Sequence, residues 1–372
     1  MNQLQLDRLH RSLGAEMVEF AGWGMPLKYG AIAEEHMAVR KTAGLFDVSH
    51  MGEFRVAGPK ALEFLQLVTS NDVSRLVVGA AQYSTVLNEN GGTKDDIVVY
   101  RLGEQEFMVV CNASNVAKIW GWFSGRSGSG VELEDTTMST LLISIQGPRA
   151  ESILQSLTKF DLSQIKRFKS AWVDVVGLKA LASRSGYTGE NGFEIFLTGE
   201  TKSNPSRAEK LWTEIMDAGK ESGLKPCGLG ARDTTRLEAG LCLYGNDLTE
   251  EITPLEARLD FVVKLEKEKF IGKEALLLQK SSGLKKARIG LHMLEPGIPR
   301  QGYRILADGK EIGYVTSGTF SPLLNAGIAM GYASPGLKVG DGVFVEIHDK
   351  PRRAEVVEPP FYDAEKYGYK RR

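Results

Sequence analysis

The chain has 372 residues, enough for two or three domains at ~150 residues each and enough to bury its own cores without disulfide or metal staples. Its 46 Lys and Arg against 47 Asp and Glu leave a formal net charge of −1, so no global field draws it to nucleic acid or to anionic membranes. A hydrophobic fraction of 42% with 25% charged residues excludes a disordered chain.

The first twenty residues carry charge throughout and lack the apolar core of a signal peptide, and no run approaches the ~18 apolar residues of a membrane span. Glu53–Gly58 alternates like a strand, and Pro59 then opens a helix whose Ala61, Leu62, Leu65 and Val68 follow helical spacing. Asn90-Gly91 marks a hairpin, with Ile97–Arg101 and Phe107–Cys111 as successive strands and Asp95-Asp96 where turn becomes strand. Phe123–Gly130 reads as a loop. Leu141–Gly147 followed by Pro148 repeats the earlier strand, turn and helix, so Gly58-Pro59-Lys60-Ala61 and Gly147-Pro148-Arg149-Ala150 mark a candidate diverged repeat.

Asn191-Gly192 signals another turn, leading into a strand with Phe193, Ile195 and Leu197 on one face and Glu194 on the other. The segments around 205–219 and 229–240 read as helices, the second stopping at Gly240. From about Arg288 the pattern changes to short strands with close turns, Asp308-Gly309 among them, which predicts a compact all-β terminal domain. Three cysteines, Cys111, Cys227 and Cys242, form no C-x-x-C pair and leave an odd thiol, which argues against a disulfide framework or a cysteine zinc site. A cytoplasmic, reduced, soluble protein is expected.

Common catalytic motifs are missing: there is no GxxxxGK[ST], HExxH or GxSxG, and the five histidines show no metal-ligand spacing. Asp47, Ser49 and His50 have a triad's composition, but such close neighbours rarely meet as nucleophile and base. Asp96, ahead of Ile97-Val98-Val99, is a carboxylate near a core, and also an ordinary turn residue. Tyr83 and Tyr100 flank the hairpin; Glu194 and Arg232 are unremarkable on their own.

Taken in order, FAGWGMPLKYG, AVRKTAGLFDVSHMGEF, NENGGTKDDIVVYR, SGYTGENGFEI, GLGARDTTRLEAGLCLYGND and FIGKEAL give the chain its resemblance to the aminomethyltransferase, or T-protein, family of the glycine cleavage system. The match runs from about residue 7 to the Pro359-Pro360-Phe361-Tyr362 segment. The resemblance implies an α+β fold: a three-domain cloverleaf around a central folate site. Residues 1–52 and 137–245 would form a first α+β domain, 53–136 and 246–275 a second, and 276–372 a C-terminal all-β barrel-like domain.

It also implies tetrahydrofolate as co-substrate, no metal, and a transient partner, the lipoylated H-protein, with no nucleic acid and no membrane. Asp96 corresponds to the family's central carboxylate. Glu194 would hold the pterin edge and Arg232 would add charge-assisted donors. Tyr83, Tyr100 and Tyr187 would supply walls and hydroxyls, with Met51 an apolar neighbour. Tyr367 and Arg371 are candidates from a divergent tail, and a frayed basic tail is the plainer reading of both. An ordinary Asp, at about 3.9, is a weak base at neutral pH, so orientation and charge stabilisation are favoured over proton abstraction. The competing readings are a folate-dependent demethylase, often fused to a flavin domain, and a non-enzymatic iron–sulfur assembly factor with a KGCYxGQE-type motif; this chain has neither feature.

Overall fold

A computed structural model describes residues 1–371. Alternation of apolar and polar residues builds two large sheets, each with one face against helices. The first has six strands in the order Ser170–Val175, Leu178–Ser183, Gly192–Thr198, Thr140–Gln146, Gly44–Asp47 and Lys225–Pro226. Phe193, Ile195 and Leu197 pack with Ile153 and Leu154 of helix Ala150–Gln155 and with Leu211, Trp212 and Ile215 of helix Ser206–Gly219. The second has five strands, Ala81–Leu87, Thr93–Gly103, Glu106–Cys111, Gly52–Ala57 and Glu132–Asp135, packed on helices Ala61–Val68 and Val116–Ser124.

The other faces of the two sheets meet. Phe46, Leu142, Leu181 and Phe196 of the first form one buried cluster with Ala81, Tyr100, Met108 and Val110 of the second. This joint is not wholly apolar, because Glu194 and Tyr100 lie on the same inward faces, as period-2 alternation requires. The third unit is a closed six-stranded barrel from Ala287–Met293 to Lys350–Val357, filled by residues such as Leu291, Ile305, Val315 and Val345. A small sheet of Asn2–Gln3, Trp23–Lys28 and Glu16–Phe20 completes the strands named. Among the described residues no helix is long and apolar enough to cross a membrane.

Charged side chains tie the first unit together and join it to the barrel. Arg40, fully buried, donates to Glu238 Oε2 (2.9 Å), Glu190 Oε1 (3.2 Å) and the carbonyls of Thr188 and Thr235. Helix Leu229–Glu238 then reaches the barrel twice: Arg236 donates to Asp247 Oδ2 (2.9 Å) and Ser317 Oγ (3.0 Å), and Glu238 accepts from Ser321.

Two local expectations need correction. Pro59 and Pro148 are not the first helical residues; the helices begin at Ala61 and Ala150, with Lys60 and Arg149 as caps. The two turns do match, since Gly58 (φ 108°) and Gly147 (φ 134°) each press against a carbonyl where a Cβ would collide. Nor does Asn191-Gly192 form a two-residue hairpin turn. Gly192 is already paired with Gln146, and glycine is needed because a Cβ would fall 2.4 Å from the Ile145 carbonyl oxygen.

Candidate active site

Strand Thr93–Gly103 turns Ile97 and Val99 into its own core, so Asp96, Val98 and Tyr100 face the joint between sheets. The Asp96 carboxylate is held on both sides: Tyr83 Oη donates to Oδ2 (2.8 Å) and Asn112 Nδ2 to Oδ1 (2.9 Å). Burial raises this carboxyl above its ordinary range, while the two hydrogen bonds pull it back. The Tyr83 ring stacks on Phe261 (6.5 Å between centroids, 25° between planes).

Glu194 belongs to strand Gly192–Thr198, paired with Ser144. Its Oε2 accepts from Ser185, and Tyr100 Oη lies 3.5 Å away. Tyr100 is itself buried, edge-on to Phe196. Burial raises the Glu194 carboxyl too, against the hydrogen bond from Ser185 and the charge of Arg232.

Arg232 projects from the first turn of helix Leu229–Glu238 and carries no intramolecular ion pair or side-chain hydrogen bond among the described residues; its guanidinium lies 4.7 Å from the Tyr187 ring centroid. Burial lowers its pKa, while Tyr187 and Glu194 oppose that. Tyr187 donates to the Cys242 carbonyl. A cavity of about 400 Å³ opens here, lined by Met51, Tyr187 and Arg232 together with apolar groups such as Phe20, Leu27, Leu229 and Leu243. Asn112 is in its wall, so the residue that grips Asp96 also borders the cavity.

The tail residues lie elsewhere. Arg371 Nη2 donates to Glu190 Oε2 (3.0 Å) and to the Arg40 carbonyl (3.0 Å), and Tyr367 packs edge-on to Tyr362. Neither lines the cavity, and Asp96, Glu194, Tyr83 and Tyr100 are not among its lining residues either. Asp47, Ser49 and His50 form no triad. Asp47 accepts from the Ser49 hydroxyl (2.6 Å) and pairs with His10 (2.9 Å), whereas His50 turns into the cavity wall, edge-on to Phe20. Burial, with Arg232 nearby, pushes His50 down to about 3. Arg288 donates to the Ala257 and Gly240 carbonyls (2.8 Å each). Among the described residues no cluster of His, Cys, Asp and Glu side chains is suited to a metal ion.

Sequence reasoning missed Asn112 and Ser185. Asn112 follows strand Glu106–Cys111, and its partnership with Asp96 depends on the antiparallel pairing of two strands, which places residues 96 and 112 side by side. Ser185 meets Glu194 only because Ser183 and Glu194 are in register.

Fold and cavity together define a class: a three-unit α+β protein with a mostly apolar cavity bordered by a few polar groups, the usual make-up of a small-molecule site. Residues 6–267 match the GCVT N-terminal domain, and residues 286–363 the glycine cleavage T-protein C-terminal barrel domain. An aminomethyltransferase of Desulforamulus reducens is 47% identical over 98% of this chain and 99% of its own length. A probable aminomethyltransferase of Thermococcus gammatolerans is 45% identical over 96% of each chain. The crystal structure of the glycine cleavage system aminomethyltransferase T from Bartonella henselae superposes with a TM-score of 0.90 at 35% identity, covering 99% of both chains. The chain belongs to the glycine cleavage T-protein family, and aminomethyl transfer is its activity.

Proposed function

We propose that this chain moves the one-carbon unit of an aminomethyl group, carried on the dihydrolipoyl arm of a lipoylated H-protein, to tetrahydrofolate, releasing ammonia and leaving methylene-tetrahydrofolate and the reduced arm. The observation that carries this reading is Arg232: a guanidinium with no ion pair or side-chain hydrogen bond among the described residues, at the wall of a mostly apolar cavity, with the carboxyl of Glu194 close enough to oppose the lowering of its pKa. A planar heterocycle with donors and acceptors on one edge suits that pair, because the carboxylate takes its N–H groups and the guanidinium its acceptors. Met51 and Tyr187 offer the apolar and aromatic surface against which such a ring packs.

Tetrahydrofolate supplies the nucleophilic amine and accepts the carbon. Asp96, with both oxygens fixed, orients that amine and stabilises positive charge developing on the one-carbon unit. Its raised pKa also lets it hold a proton during ammonia departure. Tyr83 keeps the carboxylate plane fixed, and Tyr100 sits behind Glu194. Tyr367 and Arg371 act by docking the tail rather than by touching the ligand. We assign residues 1–52 with 137–245, 53–136 with 246–275, and 276–372 as the three domains; sheet membership supports this division. The three buried, free cysteines support a reducing, cytoplasmic setting.

The test is ammonia release from aminomethyl-loaded H-protein with and without tetrahydrofolate. Release that needs both supports the reading, and release indifferent to folate refutes it. Free aminomethyl-lipoate at matched concentration should react more slowly than the loaded carrier, since docking raises the effective concentration of the arm. Equal rates would remove the carrier from the proposal.

A further inference from the structure

Next to Asp96 lies a second aspartate to which the reading above gives no task. Strand alternation sends Asp95 to the side of Ile97 and Val99, where it is fully buried, and Asp96 to the side of Val98 and Tyr100 at the joint between the sheets. Asp95 accepts three hydrogen bonds, all from neutral N–H groups just beyond the neighbouring strand. The Asn112 backbone donates to Oδ2 (3.0 Å), while Asn112 Nδ2 (2.8 Å) and Asn115 Nδ2 (2.6 Å) donate to Oδ1. The same Asn112 amide nitrogen donates to Asp96 Oδ1 (2.9 Å) and to the Asp96 carbonyl (3.1 Å). One primary amide therefore bridges two carboxylates across the strand.

That bridge has only one workable orientation. Both Asp95 carboxyl oxygens are taken up as acceptors by the Asn112 and Asn115 N–H groups, so Asp95 fixes the amide with its nitrogen inward. If the amide turned over, its carbonyl oxygen would face both carboxylates, and Asp96 would lose the donor on Oδ1. Tyr83 would then be the only side-chain donor restraining the Asp96 carboxylate. A donor behind a functional side chain, itself held by a third group, is the arrangement that fixes geometry in metal and triad sites.

We propose that Asp95 is a positioning residue for the transfer reaction: through Asn112, which borders the cavity, it locks the Asp96 carboxylate in place. It touches no substrate. The proposal rests on the reading that Asp96 takes part in transfer, and the experiment separates the two.

Steady-state transfer is measured with aminomethyl-loaded H-protein and tetrahydrofolate for the wild type, Asp95→Asn, Asn112→Ala, the double variant and Asp96→Asn. Asp95→Asn sets an amide donor against one of the three N–H groups, so the bridge loosens. Its kcat should fall roughly ten- to hundredfold, as when an orienting partner is removed. The KM for tetrahydrofolate should stay within about twofold, because the pterin contacts lie on other strands and helices; a general loss of structure would not spare KM. Asn112→Ala should behave alike, and the double variant should be no slower than the slower single one, since both act through one bridge.

Wild-type kcat in Asp95→Asn, multiplied losses in the double variant, or a rise in KM without a fall in kcat would each overturn the proposal. Should Asp95→Asn fail to fold, Asn112→Ala decides, and wild-type kcat there overturns it equally. If Asp96→Asn keeps wild-type turnover, the reading of Asp96 itself falls; if Asp96→Asn is impaired and the Asp95 and Asn112 variants are not, only the present inference does.

Discussion

Two arginines one turn apart on helix Leu229–Glu238 should respond oppositely to the same substitution. Arg232 has no intramolecular ion pair or side-chain hydrogen bond among the described residues, and burial disfavours its charge, so Arg232→Ala removes nothing that holds the fold together. On the function proposed above, it removes a charge-assisted contact to folate, worth about 1.5–3 kcal/mol. At 1.4 kcal/mol per decade, Kd for tetrahydrofolate should rise about 10- to 150-fold. Arg236 instead neutralises Asp247, whose side chain is fully buried and whose Oδ2 also accepts from Ser317 and the Leu243 N–H. Arg236→Ala strands that charge and should cost about 3–5 kcal/mol of stability.

The assay is calorimetric titration with tetrahydrofolate, paired with urea denaturation of both variants. Arg232→Lys should recover part of the affinity but not all, because an ammonium does not reproduce the planar fork. A folded Arg232→Ala protein with wild-type affinity would refute the argument, as would one whose stability falls as far as that of Arg236→Ala.

Asp96→Asn should fold normally, since both hydrogen-bonded oxygens sit among donors that an amide partly satisfies, yet transfer should drop roughly 10²–10⁴-fold in steady-state assays. His50 gives a pH dependence of definite sign. Its folded-state value of about 3 lies below the ordinary 6.5, so the unfolded chain takes up a proton first as pH falls. Stability is therefore lost progressively from about pH 6.5 downward, and His50→Gln should flatten the stability–pH slope between pH 6 and 4 by about 1.4 kcal/mol per unit. Identical slopes in urea titrations at several pH values would contradict this. Gly147→Ala forces a Cβ to within 2.5 Å of the Thr42 carbonyl oxygen at φ 134°, and should cost clearly more than Gly14→Ala, where nothing lies within 4 Å and only the ~1–2 kcal/mol backbone penalty applies. Comparison of denaturation midpoints checks it.

What could be read in advance depended on how local each signal was. Asp308-Gly309 predicted its hairpin correctly because both residues take left-handed φ (48° and 72°), the conformation a two-residue turn requires there. The strands around Ile97 and Phe107 were legible in the same way, though the first extends from Thr93 to Gly103. Asn191-Gly192 misled because a glycine needed for close packing looks the same in sequence as a glycine needed for a turn. Asp96, Glu194 and Arg232 could be singled out only through the family resemblance, since nothing local distinguishes them from surface residues. Asn112 and Ser185 owe their positions to strand register, and no spacing rule carries that information.

The barrel looks detachable in sequence, yet electrostatically it is not. Helix Leu229–Glu238 presents Arg232 to the cavity from its first turn and sends Arg236 and Glu238 to Ser317 and Ser321 from its last. Thr316 and Ser317 both donate to Asp247, and Tyr332 donates to its backbone carbonyl. A chain cut before the barrel would leave Asp247 and Glu238 short of hydrogen-bond donors at the moment that it exposed them, and Arg236 short of an acceptor. The cavity-facing helix is thus anchored from behind by a unit whose named anchors lie outside the cavity lining. Fusion or truncation at the linker near residue 285, the obvious engineering site, would act on ligand affinity from a distance.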